Sequence, residues 1–221
     1  MKKIYSSIIF VFILFAFNVA YAQAYKKGSL MISISEGSTW ARYTTSDVPI
    51  NSEDPSTTHG GCIGGTRDPL ILEYGLSNRW SIGLTSGADI FNVKSSKYYG
   101  FGEPDKVVKV TTGEFTVDCA YHVFVNKRLD LSVSASTGVF STNFNASTSD
   151  VSYKYTATGT IARFGTRARY YFWKRLGAFG MASTYFANSS PKEVKGNTVA
   201  NTYSTKINGF AIEGGFCYRF F

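Results

Sequence analysis

Six carboxylates (Glu73, Asp89, Glu114, Asp118, Asp130 and Glu213) and four arginines (Arg163, Arg167, Arg169 and Arg219) occupy alternate positions of otherwise apolar segments. The two groups are chemically matched, because the planar fork of an arginine donates parallel N–H bonds to one carboxylate. Gathered in one interior, such a set can do either of two things. It can neutralise itself as a hydrogen-bonded plug, or it can line a path on which ions or small solutes are selected by charge. Catalysis needs more, namely a nucleophile handed to a positioned base. The chain offers two histidines for that task, His59 and His122. His59 lies beside Gly60, Gly61 and Cys62, and His122 lies near the end of an alternating segment. Neither stands in a His-x-Ser spacing, and no nucleophile–base pair can be named. His59 and Cys62 are two ligand types in one loop, short of the set a metal requires. The sequence points to no enzyme, no metal and no cofactor.

The segments that carry these charges read as β-strands. Side chains alternate between the two faces of a strand, and the spacing predicts strands over 29–36, 69–76, 79–91, 113–125, 129–140, 160–172 and 176–187, with a last one running to the C-terminus. The fourth is the cleanest. Phe115, Val117, Cys119, Tyr121, Val123 and Val125 fall on one face, and Glu114, Thr116, Asp118, Ala120 and His122 on the other. In the sixth, Ala162, Phe164, Ala168, Tyr170 and Phe172 oppose Arg163, Gly165, Arg167 and Arg169. The seventh leaves its facing open, with Phe179, Met181 and Tyr185 on one side and Leu176, Ala178 and Ala182 on the other. Where the facing is clear, charges keep to the less apolar side.

Three connections are short (77–78, 126–128 and 173–175), and four are long and polar, including 92–112 and the stretch ending near Gly159. Eight strands joined by alternating short and long connections describe an up-and-down barrel. Charges on one face and Leu, Ile, Val, Phe and Tyr on the other suit a barrel with lipid outside. A soluble barrel or sandwich with its apolar face inward is the competing reading. The two ends favour lipid. Met1-Lys2-Lys3, the apolar run 4–17 and the Ala20-Tyr21-Ala22 cleavage pattern read as a secretory signal peptide over 1–22, which leaves a barrel domain over 23–221. The terminal strand alternates Phe210, Ile212, Gly214, Phe216, Tyr218 and Phe220, an edge that a soluble protein would leave open and a closed barrel does not. Aromatic residues are 16% of the chain, and charged residues only 17%, below the ~25% of soluble domains. Two aromatic girdles are expected, Tyr74, Trp80, Phe172, Trp173 and Phe220 near the short turns, and Trp40, Tyr43, Phe91, Phe140, Phe144 and Tyr203 near the long connections. Cys62, Cys119 and Cys217 are an odd number and imply no complete disulfide framework.

The segment Leu72-Glu73-Tyr74-Gly75-Leu76-Ser77-Asn78-Arg79-Trp80-Ser81-Ile82-Gly83-Leu84, the run Ala168-Arg169-Tyr170-Tyr171-Phe172 and the last strand resemble the small eight-stranded outer-membrane β-barrels of the OmpA/OmpX type, the porin-family barrel domains. The resemblance spans nearly all of the mature chain and is architectural. It implies an all-β, eight-stranded antiparallel transmembrane barrel in the outer membrane of a Gram-negative cell, with periplasmic short turns. It also implies an assembly signal at Phe216, Tyr218, Phe220 and Phe221, read by the barrel-insertion machinery. Phe221 stands one residue beyond the alternating set, so the register counted from the terminal Phe is shifted. Lys94, Lys97, Lys106, Lys109, Lys192 and Lys195 lie in the long connections, where they would meet outer-membrane lipids, including anionic lipopolysaccharide. The basic residues are too dispersed for nucleic acid. The reading is a non-enzymatic surface protein, structural or adhesive, with a narrow channel as the alternative and a lipid-modifying enzyme third. No extracellular ligand is named by these residues.

Overall fold

The computed structural model describes residues 24–48, 58–94, 107–147, 152–190 and 202–221. They form a closed antiparallel barrel of eight strands: β1 Leu30–Val48, β2 Thr58–Gly75, β3 Trp80–Lys94, β4 Val107–Val125, β5 Leu129–Ser147, β6 Ser152–Tyr171, β7 Leu176–Ser190 and β8 Thr202–Arg219. Each strand pairs with its neighbours in chain order, and β8 closes on β1 through a register running from Met31↔Arg219 to Val48↔Thr202. Closure leaves no unpaired edge, the one way a sheet can satisfy its backbone in lipid. The signal peptide expected over 1–22 lies outside the described residues, as do Lys97, Lys106, Lys192 and Lys195 and the side chains of His59, Lys94, Phe144 and Tyr203.

The short turns are fixed by side-chain oxygens that imitate a backbone acceptor. Asn126 Oδ1 accepts from the N–H groups of Arg128 and Leu129 at 2.8 and 2.7 Å. Ser77 Oγ accepts from those of Arg79 and Trp80 at 3.2 and 3.0 Å. At the other end the strands run further than the alternation of their apolar halves suggests. β5 and β6 stay paired out to Ser147↔Ser152, so the third outer connection is only 148–151. The polar residues of 141–147 and 152–159 are strand, not loop, because ladder hydrogen bonds and not apolar side chains hold them there.

The outward surface carries an apolar belt that includes Leu70, Leu72, Leu84, Val117, Val133, Phe164, Ile212 and Phe216, all exposed. Tyr74, Trp80, Phe172, Trp173 and Phe220 border it at the short-turn end. Apolar outside and charged inside reverses the arrangement that water imposes, and lipid is the surrounding that makes it stable. At the other end Trp40 faces out, but Tyr43, Phe91 and Phe140 are buried inside the barrel. Their positions share parity with the lumen residues of their own strands, which overrides the girdle expected from aromatic character. β4 also departs from simple alternation. A bulge between His122 and Phe124 sends both Val123 and Phe124 outward and turns Val125 inward, because a bulge adds a residue and so reverses the facing beyond it. The facing of β7 is resolved: Phe179, Met181 and Tyr185 point inward.

Two carboxylates break the rule that charges keep to the lumen. Glu36 and Asp68 are exposed on the outward face. The register Ile34↔Leu70 to Gly37↔Arg67 sets them opposite one another, beside Pro69, which has no N–H to give the ladder. The lipid-facing surface therefore carries a polar strip along β1 and β2.

Depth along a strand sets the effect of an outward charge. Val117→Arg lies within the belt and is expected to lower stability in lipid vesicles by about 2–4 kcal/mol, whereas Thr111→Arg, outward on the same strand beyond the belt, costs only ~0–1 kcal/mol. Equal folding yields for the two variants would contradict the placement of the membrane. Topology is testable in a background without Cys62, Cys119 and Cys217. A single cysteine in the 148–151 connection is expected to react with an impermeant maleimide on intact cells, and one at Lys127 is not.

Candidate functional site

The barrel's centre is a set of buried ion pairs in two clusters. In the outer one, Arg67 on β2 is wholly buried and meets carboxylates from three other strands. Its Nε donates to Glu213 Oε1 on β8 at 2.8 Å, its Nη1 to Asp89 Oδ1 on β3 at 3.2 Å, and its Nη2 to Glu114 on β4. Glu114 is shared, because Arg163 on β6 reaches its Oε2 at 2.8 Å. Arg163 also donates to Ser183 Oγ at 3.1 Å and lies over the Tyr185 ring, 4.6 Å from its centroid. The remaining oxygens are met by hydroxyls: Ser35 Oγ donates to Glu213 at 3.3 Å, and Thr112 Oγ1 to Asp89 at 3.4 Å.

Small residues make room for this packing. Gly37 lies opposite both Arg67 and Glu213. A Cβ there would collide first with the β8 backbone, at the Ile212 carbonyl oxygen and Glu213 Cα, and then with Glu213 Cγ at 2.9 Å, so the close approach of β8 leaves no room for a side chain. The ring of Tyr185 likewise covers the space that a side chain at Gly209 would need. Its hydroxyl is bonded to Thr39 Oγ1 at 2.8 Å.

The second cluster lies nearer the short turns. Arg167 Nη1 donates to Glu73 Oε2 at 2.7 Å, and its Nη2 to Met181 Sδ at 3.6 Å. Arg169 also pairs with Glu73, and its Nη1 reaches Asp130 Oδ2 at 3.0 Å. His122 stands between the two acids, with Nδ1 2.6 Å from Asp130 Oδ1 and Nε2 3.3 Å from Glu73 Oε1. Asp118, between the clusters, accepts from Thr85 Oγ1 at 2.6 Å. Arg219 is inward but sits at the rim, where it donates to the Lys174 carbonyl at 2.6 Å and lies over the Tyr171 ring.

All ten charged residues expected to share the lumen thus point into it. The structure adds two that the sequence reading left out. Arg67 precedes Pro69 in a Gly- and Thr-rich stretch whose composition is that of a loop, which hides it from a reading by hydropathy. An arginine in phase with Glu73, Ile71 and Pro69 was the available clue. His122 was placed on the correct face, but its partners lie on other strands. Among the described residues the lumen holds six carboxylates and five guanidiniums, so His122 is the remaining group whose positive charge would balance the set.

Apolar layers and a strap complete the filling. Tyr43, Ile63, Phe91, Val110, Phe140 and Ile161 pack together on the outer side of the Arg67 cluster. Ile71, Tyr171, Phe179, Met181 and Cys217 pack among the lower charges. Residues 24–29 then cross the short-turn mouth. Gly28, at φ +79°, makes the reversal that leads into β1, and its N–H donates to the Gly75 carbonyl at 2.8 Å. Tyr25 is buried, with its ring stacked on His122 at 3.5 Å between centroids and its hydroxyl donating to the Trp80 carbonyl at 2.6 Å. Burial raises the pKa of this phenol, which keeps it a neutral donor.

Ser81 Oγ lies 3.1 Å from His122 Nε2, so a Ser–His–Asp relay exists in space although none could be named from sequence. Ser81, His122 and Asp130 are all fully buried, and Tyr25 covers the ring. A substrate carbonyl has no approach to Ser81 without expelling Tyr25, and the arrangement works as a hydrogen-bonded girder across β3, β4 and β5.

No family model matches the chain, and no curated protein matches it in sequence. Solved structures match it in shape. The outer membrane protein OprG of Pseudomonas aeruginosa aligns with a TM-score of 0.57 at 16% identity, over 89% of this chain and 98% of that one. The outer membrane protein AlkL aligns at 0.54 and 14%, over 92% and 95%. Neisserial surface protein A aligns at 0.52 and 10%, over 85% and 97%. At such identities the likeness is one of fold. Together with the closed eight-strand topology and the apolar exterior, it makes this chain a small eight-stranded barrel of the outer-membrane type.

Removing Arg67 strands Asp89 and Glu213 and leaves Glu114 with Arg163 alone. Arg67→Ala is expected to lower the unfolding free energy by about 3–5 kcal/mol, the usual effect of breaking a buried pair, seen as a lower urea midpoint in vesicles. Arg167→Ala acts in the same direction, although Arg169 still holds Glu73. A stability change within ~1 kcal/mol for Arg67→Ala would mean that these charges are solvated. For the buried relay, a fluorophosphonate probe is expected to leave Ser81 unlabelled in the folded barrel. Labelling that disappears in Ser81→Ala would contradict the girder.

Proposed function

We propose that this protein is a non-enzymatic, surface-exposed barrel of the outer membrane, with a structural or adhesive role and a lumen that does not conduct. The filled lumen carries the reading. An eight-stranded interior is just wide enough for its own side chains. Here that space is taken by two ionic clusters, an apolar layer on the outer side and Tyr25 at the mouth. An ion crossing it would have to part Arg67 from three carboxylates at once. The presenting part of the molecule is then the outer ends of the strands, which continue beyond the belt as paired sheet to Ser147↔Ser152 and Val48↔Thr202.

Insertion is proposed to use the terminal strand, where Phe216 and Phe220 are outward and exposed and Phe221 follows them. Purified protein in planar bilayers is expected to show no steady conductance at neutral pH. Tyr25→Ala is expected to remain closed as well, because the Arg67 cluster is a second barrier. Steady, ion-selective current through the wild-type barrel would replace this reading with that of a narrow channel.

A further inference from the structure

Two cations lie together on the lipid-facing wall. Arg42 on β1 stands opposite Asn208 on β8, and Lys206 stands opposite Thr44, so Arg42 and Lys206 are diagonal neighbours across the β1–β8 seam. Both are exposed, and no ion pair among the described residues engages either. Directly below them Trp40 and Phe210 face each other across the same seam, their rings stacked at 6.5 Å and 23°. A cleft of about 610 Å³ opens here, lined by Trp40, Arg42, Cys62, Gly64, Asn208 and Phe210. Gly64 keeps its floor low, since a Cβ there would meet little beyond Trp40 Cδ1 at 3.8 Å.

Depth decides what fits. Trp40 and Phe210 are the last large apolar residues of the belt on their strands, and Arg42, Asn208 and Lys206 come next toward the long-connection end. The cleft is thus aromatic at acyl-chain level and cationic at headgroup level. Arginine donates to phosphate through two parallel N–H groups, and lysine adds a second positive charge. We propose that this cleft binds lipopolysaccharide, with Arg42 and Lys206 holding a phosphate of its lipid anchor and Trp40 and Phe210 packing along an acyl chain. The outer leaflet is the side of the membrane that the long connections face, which selects this lipid over the glycerophospholipids opposite the short turns. The site rests on this topology and is independent of whether the lumen conducts.

The test uses the whole barrel in phosphatidylcholine nanodiscs containing lipopolysaccharide, with retained lipid measured by native mass spectrometry after detergent release. Wild-type protein is expected to keep lipopolysaccharide. The double variant Arg42→Gln/Lys206→Gln is expected to lose it by about tenfold or more, as when a charge-assisted phosphate contact is removed. Arg175→Gln, an exposed cation at the short-turn end of the barrel, is the control and is expected to bind as wild type. Both changed residues are outward and exposed, so the double variant is expected to keep the gel mobility of the folded barrel. Should it fail to fold, Arg42→Lys alone, which keeps the charge and removes the fork, is expected to weaken retention while leaving the fold intact. Equal retention by a folded double variant or by Arg42→Lys would overturn the proposal. So would equal retention of dephosphorylated lipid anchor, or of phosphatidylglycerol supplied in its place.

Discussion

A guanidinium removed from water is tolerable only where carboxylates replace its hydration, and Arg67 meets that condition by drawing on three other strands. Glu213, Asp89 and Glu114 come from β8, β3 and β4, and Glu114 passes the link to Arg163 on β6. Desolvation makes each charge costly alone and each pair conditional on geometry. The cluster is therefore satisfied only if the barrel closes in one register. A shift of one residue in β2 would turn Arg67 into lipid and leave Asp89 and Glu213 without a guanidinium. The charged interior is what ties strand register to closure.

The same demand explains the features around it. Gly37 is a glycine because the β8 backbone at Ile212 and Glu213 comes so close that no side chain fits between them. Tyr185 is bonded to Thr39 and packed against Arg163, so it supplies an aromatic wall and a satisfied hydroxyl together. The apolar layer of Tyr43, Phe91, Phe140 and their neighbours shields the cluster from water at the outer end. Toward the other end His122, Asp130 and Ser81 repeat the principle with hydrogen bonds, and Tyr25 closes over them. Low polarity strengthens these interactions and makes any unpaired member more expensive. That is why the filling is continuous.

Outside, lipid removes the pressure that water puts on apolar residues, and the wall becomes informative through its exceptions. Glu36 and Asp68 form a polar strip where Pro69 interrupts the ladder, and Arg42 and Lys206 sit at headgroup level above an aromatic pair. An outward charge within the belt is disfavoured, whereas one at its border can find a counter-charge in the lipid itself. Position along the strand, more than residue type, separates these cases.

Strand existence, strand number and the inward facing of Glu73, Asp89, Glu114, Asp118, Asp130, Arg163, Arg167, Arg169 and Glu213 were legible from residue order, because the period of two is a local property of an extended chain. Strand ends were less legible. The outer halves are held by ladder hydrogen bonds, which leave no trace in hydropathy, and Arg67 was lost with them. The tertiary structure alone decided the rest. It chose the inward face of β7, since both faces are moderately apolar and only the positions of Arg163 and Arg167 discriminate between them. It reversed the facing beyond the His122 bulge and brought Ser81, His122 and Asp130 together beneath Tyr25. It also matched each acid to its base, as with Arg67 and Glu213, 146 residues apart in the chain. Such pairings depend on how far each strand is staggered against the next around a closed barrel. That stagger is a property of the whole sheet and of no single segment.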